Sequence, residues 1–255
     1  MSPHFFDSHC HFDFEVFDDT RRSLWSACLE KNIQQLLIPG IHPKQWLRAQ
    51  AITEQYPGIL MAAGIHPWWL ASAVLPETEQ WLAALKFPQC VALGECGLDA
   101  VIDLPLEKQQ VVFEAHLQMA VEVSMPLIIH VRQAHNETLQ LLKRYQPPRG
   151  GVIHGFSGSI ELAKQYWNQG FHLGIGGSIT YPRAHKTRKM VKAMPLASLL
   201  IETDSPDMPL SGYQGQPNSP LRIIEIAATL AELRQQSLET ITEATTANSC
   251  RLFGR

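Results

Sequence analysis

The sequence predicts an α/β fold, a single-domain (β/α)8 barrel over residues 1–255. Three observations predict it. Short apolar runs alternate with longer amphipathic segments from end to end. The runs are continuous rather than polar-apolar alternating, as parallel strands covered on both faces require. Eight such runs are each followed by a helical pattern, the order of a (β/α)8 barrel. The main alternative is a doubly wound open sheet. The first strand is not followed by G-x-G-x-x-G, which weakens its dinucleotide-binding version.

The elements follow in order. Strands are expected at 4–8, 34–39, 59–65, 90–94, 126–129, 151–153, 171–175 and 199–203. Helices are expected at 18–31, 43–56, 76–86, 105–124, 133–145, 159–168, 183–194 and 219–234, and a last one at 237–252 closes the chain. Pro105 suits a first helical turn and Pro126 follows a helix end. No linker or low-complexity stretch interrupts the alternation.

Composition sets the class. The 255 residues are 45% hydrophobic and 18% charged, which is globular composition and excludes disorder and collagen-like repeats. A chain of this length buries roughly three quarters of its unfolded surface, so it needs no disulfide or metal merely to fold. The net charge of -3 excludes a broadly basic surface, so a nucleic-acid partner would be gripped locally. The five cysteines show no C-x-x-C pair, which points to a reducing compartment rather than a disulfide framework. The first residues carry no signal-peptide pattern, and no apolar stretch approaches the ~20 residues that span a bilayer. The expectation is a cytoplasmic protein with no membrane contact and no obligate protein partner.

Polar residues gather where the apolar runs end. The first run leads into Asp7-Ser8-His9-Cys10-His11, the fourth into Glu95, the fifth into His130-Val131-Arg132, the sixth into His154 and the eighth into Asp204. His9 and His11, two residues apart in an extended segment, point the same way roughly 6.6 Å apart and suit one shared cation. In a barrel all these residues reach the C-terminal rim, where such enzymes place their chemistry. Four imidazoles and two carboxylates brought together without compensation would be costly, and a metal centre is the simplest compensation. The donors are nitrogen and oxygen without thiolate. That suits zinc, magnesium, manganese or cobalt, with imidazole favouring zinc. Six donors exceed one tetrahedral site and suit two divalent ions. Cys10 and Cys96 are read as packing.

The motifs DSHCHF (7–12), AAGIHP (62–67), ALGECGLD (92–99), PLIIHVR (126–132), VIHGFSG (152–158) and IETDSP (201–206) resemble those of the TatD family of metal-dependent deoxyribonucleases, within the amidohydrolase superfamily. The likeness is greatest to the YjjV-type branch. The resemblance implies a TIM barrel with two divalent metal ions at its C-terminal rim. It implies that His9, His11 and Asp204 hold one ion, that His130 and His154 hold the other, and that Glu95 bridges both. It also implies hydrolysis of phosphodiesters, releasing nucleotides from DNA ends. Three stretches depart from the family pattern where substrate would be gripped: Ala100-Val101, Asp207-Met208 and 215–220. DNA and a small phosphoester therefore both stand as substrates. The alternatives are an amidohydrolase-type reaction on a small amide or lactone, and a non-catalytic metal-binding protein.

Further roles are expected around that centre. Asp204 would orient the attacking water and take its proton. His66 would contact a phosphate or leaving group, or else order its loop. Arg132 would hold a phosphate oxygen, or else form a structural ion pair. The basic run 183–189 would meet a nucleic-acid backbone, or else form a solvated helix face. Trp68 and Trp69 would stack a base, or else cover a helix end. Asp7 or Asp99 would hydrogen-bond the ligating histidines. Trp25, Trp46, Trp81 and Trp167 are read as core.

Overall fold

A computed structural model describes residues 3–71 and 77–254. Eight strands form one all-parallel sheet in chain order, so the (β/α)8 class holds. The strands are β1 (Phe5–Asp7), β2 (Ile33–Ile38), β3 (Ile59–Ala63), β4 (Cys90–Asp99), β5 (Leu127–Arg132), β6 (Gly151–Ile153), β7 (Phe171–Ile175) and β8 (Leu199–Ile201). The helices among the described residues are α1 (Arg21–Glu30), α2 (Pro43–Gln55), α3 (Thr78–Leu85), α4 (Leu106–Val123), α5 (His135–Tyr145), α6 (Ile160–Trp167), α7 (His185–Ala193), α8 (Ile223–Arg234) and α9 (Leu238–Phe253). Residue 76, where the third helix was expected to begin, lies outside the described residues, as do the chain's first two residues and its last. No described helix is long and apolar enough to cross a membrane.

Local chemistry explains the helix ends. Pro43 opens α2 behind His42, whose ring accepts the Lys44 N–H. Ser237 caps α9 by accepting the Thr240 N–H at 3.0 Å, and Gly254 ends it at φ 71°. Strands β1, β3, β4, β6 and β8 are buried at every position, as the continuous apolar runs require.

The chain divides into two compact units. One contains β1, β2, β7 and β8 with α1 and α6 to α9. There β1 pairs with β2, and just beyond β1 the Ser8 N–H donates to the Ile201 carbonyl of β8 at 3.1 Å. The other unit contains β3 to β6 with α2 to α5.

β4 departs most from expectation. It runs on through Asp99 instead of stopping at Gly94, so Glu95 lies inside the strand. Between Leu93 and Cys96 the β4–β5 register slips, three steps on β4 matching two on β5. Such a bulge re-aims a side chain. Gly94 and Gly97 permit it: a Cβ at Gly97 would stand 2.0 Å from the His130 carbonyl oxygen, and one at Gly94 2.4 Å from that of Ile128. Trp25, Trp46 and Trp81 are core, whereas Trp167 is only half-buried, its ring edge-on to His172.

Candidate metal centre

In the first unit, residues 9–11 extend β1 beyond its last strand residue. Backbone bonds alternate between the two sides. Cys10 N–H donates to Leu37 O at 3.0 Å, and His11 N–H to Ser205 O at 2.8 Å. The Asp204 N–H donates to the His9 carbonyl at 2.8 Å. That alternation sends the rings of His9 and His11 one way and the Cys10 side chain the other, where its Sγ lies 3.1 Å from Ser205 Oγ. Asp204 has φ 56°, a left-handed conformation that aspartate tolerates better than most residues. Its Oδ1 stands 3.4 Å from His9 Nε2 and 3.5 Å from His11 Nε2.

Beneath this group lies a buried carboxylate network. Asp7 accepts the Thr203 hydroxyl at 2.6 Å, the Thr203 N–H at 2.9 Å and the His9 backbone N–H at 3.3 Å. Asp7 therefore holds backbone, not an imidazole. Burial pushes its carboxyl up to about 8, only partly offset by those Thr203 and His9 hydrogen bonds. Glu202, fully buried, accepts the Gly155 N–H at 2.5 Å. Gly174 leaves room for it, since a Cβ there would lie 2.2 Å from Glu202 Oε2.

In the second unit, Glu95 of β4, His130 of β5 and His154 just beyond β6 converge. Glu95 Oε1 lies 2.9 Å from His154 Nε2 and 3.2 Å from His130 Nδ1, and those two nitrogens are 3.3 Å apart. Asp99 Oδ2 stands 3.2 Å from His130 Nε2. Burial works to raise the Asp99 pKa, but hydrogen bonds from His130, Trp68 and Val101 overcome it and hold the carboxyl well below its usual range. Burial likewise works against a charged His130, but its bonds to Asp99 and Glu95 prevail and raise its pKa.

His66 joins this unit's group, its Nε2 3.2 Å from Glu95 Oε1. Its Nδ1 accepts the Trp68 backbone N–H at 3.1 Å. Neutral His66 must therefore carry its proton on Nε2. Burial lowers its pKa despite the nearby Glu95 carboxylate, which favours the neutral form. In its neutral form His66 thus turns its Nε2 hydrogen toward Glu95, within one cluster of possible ligand atoms with Glu95 and His130. Arg132 is exposed at the end of β5, and its carbonyl accepts the Ala100 N–H.

The residues fit divalent ions. Two donors ~2.0–2.1 Å from one tetrahedral ion stand roughly 3.4 Å apart. The donor spacings within both groups run from 2.9 to 3.5 Å. Each group offers two imidazoles and one carboxylate, with no thiolate.

Three supporting residues escaped the sequence reading. Gln109 of α4 brackets Asp99, accepting its N–H at 2.8 Å and donating to its carbonyl at 2.9 Å. His116 of α4 accepts the Ile65 N–H at 3.0 Å, directly before His66, and its Nδ1 lies 2.8 Å from Val112 O. Asn218 donates to the Thr203 carbonyl at 2.8 Å. For Gln109 and His116 the only signal was a buried polar residue among the apolar ones of α4, and Asn218 lies in the 215–220 stretch that departs from the family pattern.

A family model described as TatD related DNase matches residues 6–254. The chain is 40% identical over 252 residues to the uncharacterized metal-dependent hydrolase YjjV of Escherichia coli (strain K12), covering 98% of this chain and 97% of that one. It is 35% identical over 260 residues to an uncharacterized metal-dependent hydrolase of Haemophilus influenzae, covering 98% of this chain and 99% of that one. The crystal structure of YjjV, a TatD homolog from Escherichia coli, superposes with a TM-score of 0.94 at 39% identity over 98% of each chain. A TatD family hydrolase from Entamoeba histolytica shares the fold, with a TM-score of 0.85 at 21% identity over 99% of each chain. The chain belongs to the TatD family and is a metal-dependent hydrolase.

Proposed function

We propose that the protein is a phosphodiesterase that releases nucleotides from DNA ends, with two divalent ions as resident cofactors and water as the nucleophile. The observation that carries this reading is the pair of donor groups, each two imidazoles and a carboxylate at chelating distances. In the ligand set that the family implies, His9, His11 and Asp204 hold one ion, His130 and His154 the other, and Glu95 serves both. Zinc suits the imidazoles best, with magnesium, manganese or cobalt as alternatives. When bound, such a pair lowers the pKa of water and stabilises charge on phosphoryl oxygens.

The chain's own residues do the rest. Asp204, its backbone pinned to the His9 carbonyl, orients the attacking water and takes its proton. His66, whose Nε2 hydrogen faces Glu95 in the free protein, turns that N–H to a phosphoryl or leaving-group oxygen when substrate is bound. Arg132 supplies an exposed positive charge for a phosphate.

The test is nucleotide release from single-stranded DNA by the metal-reconstituted protein, beside hydrolysis of bis-p-nitrophenyl phosphate and of simple amides and lactones. Metal-dependent nucleotide release is expected. Hydrolysis of the small diester alone would move the substrate to small phosphoesters. Activity confined to amides or lactones would overturn the reading.

A further inference from the structure

We propose that Trp68 is the platform on which the nucleobase of the substrate stacks, an inference that rests on the nuclease reading. Trp68 stands two residues after His66, and 56% of its surface is exposed. A tryptophan that serves packing buries its ring together with its N–H, as Trp46 does with its indole N–H on the Gly64 carbonyl at 3.0 Å. Trp68 buries only the N–H end. Its indole N–H donates to the buried Asp99 Oδ2 at 2.6 Å, while the ring is left open. Its backbone N–H is also engaged, by His66 Nδ1 at 3.1 Å, and its ring stands edge-on to the His66 ring with centroids 5.6 Å apart. The ring is thus held at two points, so little freedom is left to lose on binding.

Asp99 connects this ring to the donor group. The oxygen that accepts the indole N–H also lies 3.2 Å from His130 Nε2. Its other oxygen accepts the Val101 N–H at 2.9 Å, and Val101 is itself 47% exposed. One buried carboxylate therefore ties together two exposed apolar side chains and a histidine of the Glu95 group. A nucleotide has the matching layout, with a planar base one sugar away from its phosphorus. Stacking on an aromatic side chain is sequence-tolerant and worth roughly 5- to 150-fold in affinity per base.

The experiment compares binding of thymidine 5′-phosphate and of 2-deoxyribose 5-phosphate, which lacks the base, by calorimetry on the metal-loaded protein. The wild type should bind the base-bearing ligand about ten-fold or more tightly. Trp68→Leu should bring the ratio of the two affinities close to one. Trp68→Phe keeps a ring but loses the bond to Asp99, and should retain most of the ratio. Equal affinities in the wild type, no binding of either ligand, or an unchanged ratio in Trp68→Leu would overturn the proposal. DNA hydrolysis by a protein with no base preference would end the platform and keep the nuclease. Base-selective binding without DNA hydrolysis would do the opposite.

Discussion

Asp99 Oδ2 stands 3.2 Å behind His130 Nε2, while the other ring nitrogen, Nδ1, faces Glu95 Oε1 at 3.2 Å and His154 Nε2 at 3.3 Å. With Nδ1 on an ion, Nε2 would carry the ring proton and an ionised Asp99 would accept it. Carboxylates behind ligating histidines typically carry 10- to 100-fold of metal affinity. Asp99→Asn should therefore weaken zinc binding by about that factor, read by chelator competition, with the far-ultraviolet spectrum unchanged. Unchanged affinity would separate Asp99 from the ion.

Asp204→Asn keeps the shape of the carboxylate and removes its basicity. General-base contributions are typically 10²- to 10⁴-fold. At full metal loading kcat should fall by about that much. A near-normal kcat with two ions bound would remove Asp204 as the base.

His116 makes acid stability testable. It is fully buried between the Ile65 N–H and the Val112 carbonyl, and burial lowers its pKa to about 4 despite the bond to Val112. An unfolded histidine titrates near ~6.5. As pH falls from about 6.5 to 4, the unfolded chain gains a proton that the folded chain refuses, so stability drops. Between pH 7 and pH 5 this amounts to about 2 kcal/mol. Urea unfolding should show that loss in the wild type and less of it in His116→Gln. Equal pH dependence in both would contradict the assignment.

The helix α7 carries Arg183 just before it and Lys186, Lys189 and Lys192 along it, every third residue and all exposed. If this stripe meets a single strand, each neutralised phosphate contributes about 0.7 to the slope of log affinity against log salt. The Lys186→Ala/Lys189→Ala variant should then flatten the slope by about 1.4. An unchanged slope would make the stripe a solvated face.

The architecture was legible because its signals are local. Continuous apolar runs such as 151–153 and 171–175 became β6 and β7 at the same residues. The donors were legible because each follows or ends such a run. What stayed hidden depends on contacts distant in sequence. The extension of β4 through Glu95 rests on a register slip against β5, which no pattern within β4 reveals. His116 reads as an interruption of an apolar helix face until the Ile65 N–H is seen opposite it. Asp7 or Asp99 was expected behind the histidines; Asp99 stands there at His130, whereas Asp7 accepts from Thr203, 196 residues away.

The most direct test of the two donor groups is metal content per chain by plasma mass spectrometry after reconstitution. The account predicts about two divalent ions in the wild type, about one in His9→Ala/His11→Ala, and about one in His130→Ala/His154→Ala. A wild type that retains no divalent ion, or variants that retain the full complement, would contradict it.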